Sequence, residues 1–255
     1  MGSAFRGGEE RPVRRRMPGG RFPKGRTNRM SFSYLGKYYP YFIVGARNAV
    51  LLSLFSLMIS VMLGVVLALC RLGKLRIVKF LATAYVEFIR GTPLMIQLYM
   101  IFYGLPMMGL RLPTVVLWGT DISRFLSGVI AMALNSAAYV CEIIRSGIQS
   151  VNKGQMEASR SLGFNYSQSM RFVILPQAFK NILPALGNEF VTVIKESSVI
   201  SVIGVQELTY NAGIVRSITY QALSPMFVAA AEYFVLTFTL SKILGHFEHR
   251  MKAHD

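Results

Sequence analysis

Residues 49–70 read AVLLSLFSLMISVMLGVVLALC, 22 positions without one charged side chain. A helix needs about 20 apolar residues to cross the hydrocarbon core of a bilayer. Soluble helices seldom stay uncharged over that length. A second run, residues 91–110, reads GTPLMIQLYMIFYGLPMMGL and is 20 residues long with no charge. Across the 255 residues only 16% are charged, against roughly 25% in soluble domains. The fold class is therefore an all-α integral membrane protein.

Working outward, the apolar pattern places about five transmembrane helices, at 42–70, 91–108, 124–148, 183–204 and 225–245. Gly45, Ser53, Ser56, Ser60 and Gly64 in the first are small residues, which let membrane helices approach closely. Arg71, Lys74, Arg76 and Lys79 follow it, four cations in nine residues. Such clusters stay in the cytoplasm. Residues 75–89 form a short amphipathic stretch, and Pro93 sits in the first turn of the second span, where a missing N–H costs nothing. Residues 109–123 and 205–223 are charge-balanced, so they lie outside. Residues 149–181 carry Lys153, Arg160, Arg171 and Lys180, so they lie inside with the C-terminal tail. The N-terminus is then outside, in a multi-pass membrane protein.

The net charge of +16 does not indicate nucleic acid. Residues 1–29 hold nine Lys/Arg and two Glu, and most of the other positive charge flanks the apolar spans, as topology signals do. No face interleaves aromatic and basic residues as single-strand binders do. Residues 1–29 have no apolar core, so they are not a secretory signal. They read as a disordered basic extension whose charge would resist translocation, with Met30 as the natural start; residues 30–255 form one transmembrane domain. Cys70 and Cys141 have no ligand spacing and are expected to be small apolar residues without a disulfide.

The loop between the third and fourth spans carries the chemistry. Residues 154–163 read GQMEASRSLG and 164–176 read FNYSQSMRFVILP. Gln155 to Leu162 is a run of helix formers, with Ala158 and Leu162 four apart and Met156 and Ser159 close to that face. Gly154 precedes the run, and Gly163 stands where a helix needs a left-handed stop. Pro176 suits the first turn of the next helix or a sharp bend. A short cytoplasmic helix with an apolar stripe, held between two stiff joints, is suited to lie in a partner's groove.

This pattern resembles the EAA motif of ABC importer permeases: Glu-Ala-Ala, three residues, Gly, nine residues, Ile-x-Leu-Pro. Here Glu157, Ala158 and Ser159 are followed by Gly163 and then by Val173, Ile174, Leu175 and Pro176. Ser159 and Val173 depart from it conservatively. RGTPL at 90–94, NSAAY at 135–139, EIIR at 142–145, GNEF at 187–190 and KESS at 195–198 are similar to the polar amino-acid uptake subfamily, whose members include histidine, glutamine, arginine and cystine importers. The resemblance implies a permease subunit working with a second permease subunit, two cytoplasmic ATPases, an extracytoplasmic amino-acid-binding protein and membrane lipid. It implies that ATP-driven closure of the ATPases moves the helix at 154–163 as a coupling helix, rocking the spans between inward- and outward-facing states. The chain has no G-x-x-x-x-G-K-[ST] loop, so ATP and Mg belong to the partner ATPase. No cofactor, metal or catalytic residue is expected in this chain, which is a transporter subunit and not an enzyme.

Ionisable residues inside a span cost roughly 2.5–3.5 kcal/mol on insertion scales, so each needs a reason. Asn135 and Glu142 are seven apart, as are Glu189 and Glu196, which puts each pair on one helix face. An amino-acid zwitterion needs an anion for its ammonium group, which Glu189 or Glu196 can supply, and a cation for its carboxylate, which Lys195 can supply. The structural alternative is that Glu142 pairs only with Arg145 and that Lys195 and Glu196 hold neighbouring helices or the other subunit. An ATP-independent channel or secondary transporter would share the spans but gives no reason for the 154–176 loop.

Overall fold

The computed structural model describes residues 32–117 and 119–252 of the chain; the basic extension at 1–29 lies outside the described residues. Helix α1, Leu35–Leu72, is followed by α2, Arg76–Gly91, and α3, Leu94–Met107. A two-residue hairpin, β1 Val116–Leu117 paired antiparallel with β2 Thr120–Asp121, leads into α4, Ile122–Gln149. The Asp121 side chain caps α4 by accepting from the Ser123 N–H at 2.9 Å, as an N-cap carboxylate does. Then come α5, Lys153–Ser161; α6, Tyr166–Ser169; a π-helical turn, Met170–Ile174; and α7, Leu175–Glu196. A 3₁₀ turn, Ser197–Ile203, ends at Gly204 in the left-handed conformation and leads to α8, Leu208–Thr219, and α9, Ser224–Lys252.

Three described helices are long and apolar enough to cross a membrane: Leu35–Leu72, Ile122–Gln149 and Ser224–Glu248. They contain the first, third and fifth expected spans. The 22 residues of α7 reach about 33 Å at 1.5 Å per residue, but Lys180, Glu189, Lys195 and Glu196 dilute its apolarity. It begins at Leu175 rather than 183.

The second span departs most from expectation. The segment 91–108 is not one helix. Gly91 closes α2, the chain is extended at Thr92 and Pro93, and Pro93 caps α3 instead of sitting in its first turn. The 14 residues of α3 reach only about 21 Å, less than the roughly 30 Å hydrocarbon core. A break between two packed helices leaves backbone groups that must find partners within the protein. Gln97 is such a partner: its amide N donates to the carbonyls of Ile89 at 2.8 Å and Thr92 at 3.1 Å and to the Thr92 hydroxyl at 2.8 Å. Two connections also hold more structure than expected. Residues 109–123 contain the hairpin, and 205–223 contain α8, an amphipathic helix read from sequence as a plain loop.

The core is α1 against α4. The buried side of α1 is made of Gly45, Asn48, Ala49, Leu52, Ser53, Ser56, Ser60, Gly64 and Ala68. The helices approach so closely at Gly64 that a Cβ there would stand 2.5 Å from a Val140 methyl. Ser56 donates across the contact to the Val129 carbonyl at 3.3 Å. With α4, Leu98 of α3 and Ile200 and Ile203 of the 3₁₀ turn close one apolar cluster. Of the most apolar window of α4, 67% is buried, against 6% for α9; α4 is the hub and α9 the outer wall.

Candidate functional site

The 150–176 region folds as the turn signals require. The Asn152 side chain caps α5, accepting from the Gly154 N–H at 2.8 Å. At the other end Gly163 has φ +91°. Its N–H donates to the Arg160 carbonyl at 3.0 Å, and the Phe164 N–H donates to the Ser159 carbonyl at 3.1 Å. That pair of bonds is the Schellman closure. Asn165 and Gln168 then form a reciprocal capping box. Beyond it the π turn widens the helix just before Pro176, whose ring would otherwise meet the carbonyl four residues back.

Side-chain bonds tie α7 to the end of α4 and to α5. Asn181 of α7 donates to the Ser150 hydroxyl at 2.8 Å. Gln177, next to Pro176, bridges the Gln155 side-chain oxygen at 3.4 Å and the Val173 carbonyl at 3.0 Å. Ser159 is buried and Met156 half-buried. Gln155, Glu157, Ala158 and Leu162 are exposed, Leu162 to 81%. Phe164, Tyr166 and Phe172 extend this exposed apolar surface. Contiguous apolar surface rimmed by polar groups marks an interaction site.

The five candidate pathway residues are not gathered into one cluster. Asn135 is buried and donates to the Gln97 side-chain oxygen at 2.9 Å, so it completes the repair of the broken second span. Glu142 sits among three guanidiniums. It pairs with Arg71, with Arg145 at 2.8 Å and with Arg90 at 3.8 Å. The Arg145 pair is the one its three-residue spacing suggested; Arg71 and Arg90 come from α1 and α2. Glu189 accepts from Ser136 of α4 at 2.7 Å. Glu196 is half-buried. Lys195 is exposed and lines a 460 Å³ cleft with Ser198, Thr209 and Tyr233. Glu232 lines a separate, largely apolar groove of 720 Å³ between α1 and α9. Among the described residues no three His, Cys, Asp or Glu side chains converge on a metal-sized site. Cys70 and Cys141 are both free.

Three polar anchors were not singled out from the sequence. Gln97 is one. Asn48, buried on α1, donates to the Thr120 hydroxyl at 2.9 Å and the Gln206 carbonyl at 2.7 Å. Glu207, assigned from sequence to a charge-balanced outer loop, is completely buried. It caps α8, accepting from the Tyr210 and Thr209 N–H groups at 2.7 and 2.9 Å and from the Tyr233 hydroxyl of α9. Burial pushes its carboxyl above the usual range, against those hydrogen bonds. Glutamate is not one of the preferred N-cap residues, so nothing local in the sequence singled it out.

Comparison with known proteins places this architecture. The arginine transport system permease protein ArtQ of Bacillus subtilis is 38% identical over 226 residues, covering 89% of this chain and 99% of that protein. The probable glutamine ABC transporter permease protein GlnM of the same organism is 39% identical over 223 residues, covering 88% and 99%. Among solved structures, that of an amino acid ABC transporter with histidines matches with a TM-score of 0.80 at 46% identity, over 87% of this chain and 99% of that one. The MetNI methionine ABC transporter, at 17% identity and a TM-score of 0.63, shares the fold. The model of the binding-protein-dependent transport system inner membrane component matches residues 60–253, and the chain belongs to that family of ABC importer permeases.

Proposed function

We propose that this chain is the permease subunit through which an ATP-driven importer passes a polar amino acid into the cytoplasm by alternating access. The observation that carries the proposal is α5. It is a separately capped helix that keeps Ala158 and Leu162 exposed, joins the end of α4 to the segment leading into α7, and is bridged to α7 through Gln155 and Gln177. A push on α5 would therefore be transmitted to two membrane helices at once. An ATP-independent channel or secondary transporter has no use for such a part.

In this reading α1, α3, α4, α7 and α9 are five spans, with the N-terminus outside and α5 and the C-terminus inside. Arg71, Lys153, Arg160, Arg171 and Lys180 then share one side, as positive-inside topology asks. Two permease subunits enclose the pathway, two ATPases bind ATP and Mg and grip α5, and an extracytoplasmic binding protein delivers the cargo. The names of the arginine and glutamine relatives support an amino-acid cargo. Glu189, Lys195 and Glu196 supply charges of both signs for a zwitterion, while Asn135 and Glu142 fix the helices that flank the pathway.

The test is a cysteine at Ala158 in a Cys70→Ser, Cys141→Ala background. A short bifunctional crosslinker should join it to the partner ATPase, and Glu157→Lys or Gly163→Pro should abolish the adduct and the co-purification. An α5 that never crosslinks, in a complex that still imports, would refute the assignment.

A further inference from the structure

Helix α2 has three distinct sides. Ala82, Val86 and Ile89 are buried against Ala68 of α1 and Ala138 and Cys141 of α4. Ile77, Leu81 and Phe88, at i, i+4 and i+11, are exposed to 76%, 61% and 55%, with Phe80 beside them at 70%. The third side carries Arg76, Lys79, Glu87 and Arg90. Neither a spanning nor a fully aqueous position fits this. Four of the 16 residues of α2 are charged, Arg76 and Lys79 near its start and Glu87 and Arg90 near its end, so neither end suits the acyl interior. Water would leave a row of large apolar side chains bare. A helix with an apolar face, a basic face and a third face on protein belongs at the membrane–water boundary.

The charges at its start select what lies there. Arg71 is committed to Glu142, and Arg90 turns back toward Glu142 and stacks over the Tyr139 ring at 5.7 Å. Lys74, Arg76 and Lys79 are exposed and make no ion pair among the described residues. The acid of the same helix, Glu87, is two turns further on than Lys79. Three unneutralised cations beside an apolar face call for a partner that is apolar below and anionic above.

We infer that α2 lies in the headgroup layer and that Lys74, Arg76 and Lys79 hold anionic phospholipid headgroups, with Ile77, Leu81 and Phe88 set among the acyl chains. This depends on the chain being a membrane component, not on which cargo it carries or whether α5 meets an ATPase. The full-length chain would be reconstituted into phosphatidylcholine bilayers with a trace of spin-labelled phosphatidylglycerol or spin-labelled phosphatidylcholine. The motionally restricted fraction of each gives its relative association. Phosphatidylglycerol should be preferred, and the preference should shrink with added salt. In Lys74→Gln/Arg76→Gln/Lys79→Gln it should fall by up to roughly fivefold for each charge removed. Among the described residues those side chains make no ion pair, and an unchanged thermal unfolding profile would show the variant intact. Arg216→Gln, an exposed cation at the opposite end, should leave the preference as it was. Equal association of the two lipids with the unaltered chain, or a preference that survives the triple substitution, would overturn the inference; so would a bound protein that shields α2 from both lipids.

Discussion

A methyl group at position 64 is the sharpest probe of how the two central helices meet. A Cβ on Gly64 would lie 2.5 and 2.7 Å from the Cγ1 and Cβ of Val140 and 3.1 Å from the Ala137 carbonyl oxygen. Relaxed carbon–carbon contacts are about 3.5–4.0 Å, so the intrusion is roughly 1 Å. Val140 is fully buried and has nowhere to swing. Gly64→Ala must therefore part α1 from α4 or force Val140 off its rotamer, at about 1–3 kcal/mol. Val140→Ala alone should cost about 2 kcal/mol by opening a void. Together they should cost less than their sum by about 1 kcal/mol or more, because the smaller side chain makes room for the new methyl. The rescue is partial, since the Cβ of residue 140 and the Ala137 oxygen remain. Unfolding of the purified chain by SDS in mixed micelles measures all four corners of the cycle. Single costs that add to within about 0.5 kcal/mol would refute the close approach.

Gln97→Leu should lower stability by about 2–6 kcal/mol, because it strands the Thr92 carbonyl and the Asn135 amide, each worth about 1–3 kcal/mol when left unpaired, and leaves the Ile89 carbonyl only its long contacts to Thr92. Thr92→Val should cost far less, and thermal melts of the purified chain compare the two. Glu207 has a carboxyl raised by burial, so its protonated form is favoured in the folded state. Its contribution is full below the ordinary carboxylate range and is lost as pH rises through the raised folded value. Glu207→Gln should flatten that decline in melts taken across this pH window, while Glu207→Ala should destabilise at every pH by removing the cap of α8. Gly163→Ala meets no neighbouring atom but needs φ +91°, a cost of about 1–2 kcal/mol for an L-residue. It should weaken ATPase retention on co-purification, with Gly163→Asn milder.

The outline of the fold was legible in the sequence because a bilayer imposes length and apolarity on one segment at a time. The first, third and fifth spans follow from that constraint. So does the end of α5, since Gly163 is a local stop signal, whereas the Asn152 cap that sets its start was not read. The helix expected at 91–108 matches α3 to within three residues, but the break before it was not seen because the residue that completes it acts at a distance. Gln97 is one polar side chain in an apolar run, and only the fold brings the Ile89 carbonyl to it. The same holds for Glu142. Its partner Arg145 lies one turn away and could be named, whereas Arg71 looked like a topology signal and Arg90 like part of the RGTPL stretch, and both fold back onto it instead. In α8, a buried capping carboxylate looks in sequence like any loop acid, and only the packing of Tyr233 against it distinguishes the two. Position on a helix face was readable; the identity of what faces it was not.

Uptake of a radiolabelled polar amino acid into proteoliposomes containing this chain, its partner ATPase and an excess of the binding protein tests the central claim most directly. Accumulation should require ATP on the side where α5 is exposed, and it should stop with Glu157→Lys while the isolated ATPase still hydrolyses ATP. Accumulation that proceeds at the same rate without ATP, or that is driven by an ion gradient in the absence of the ATPase, would contradict it.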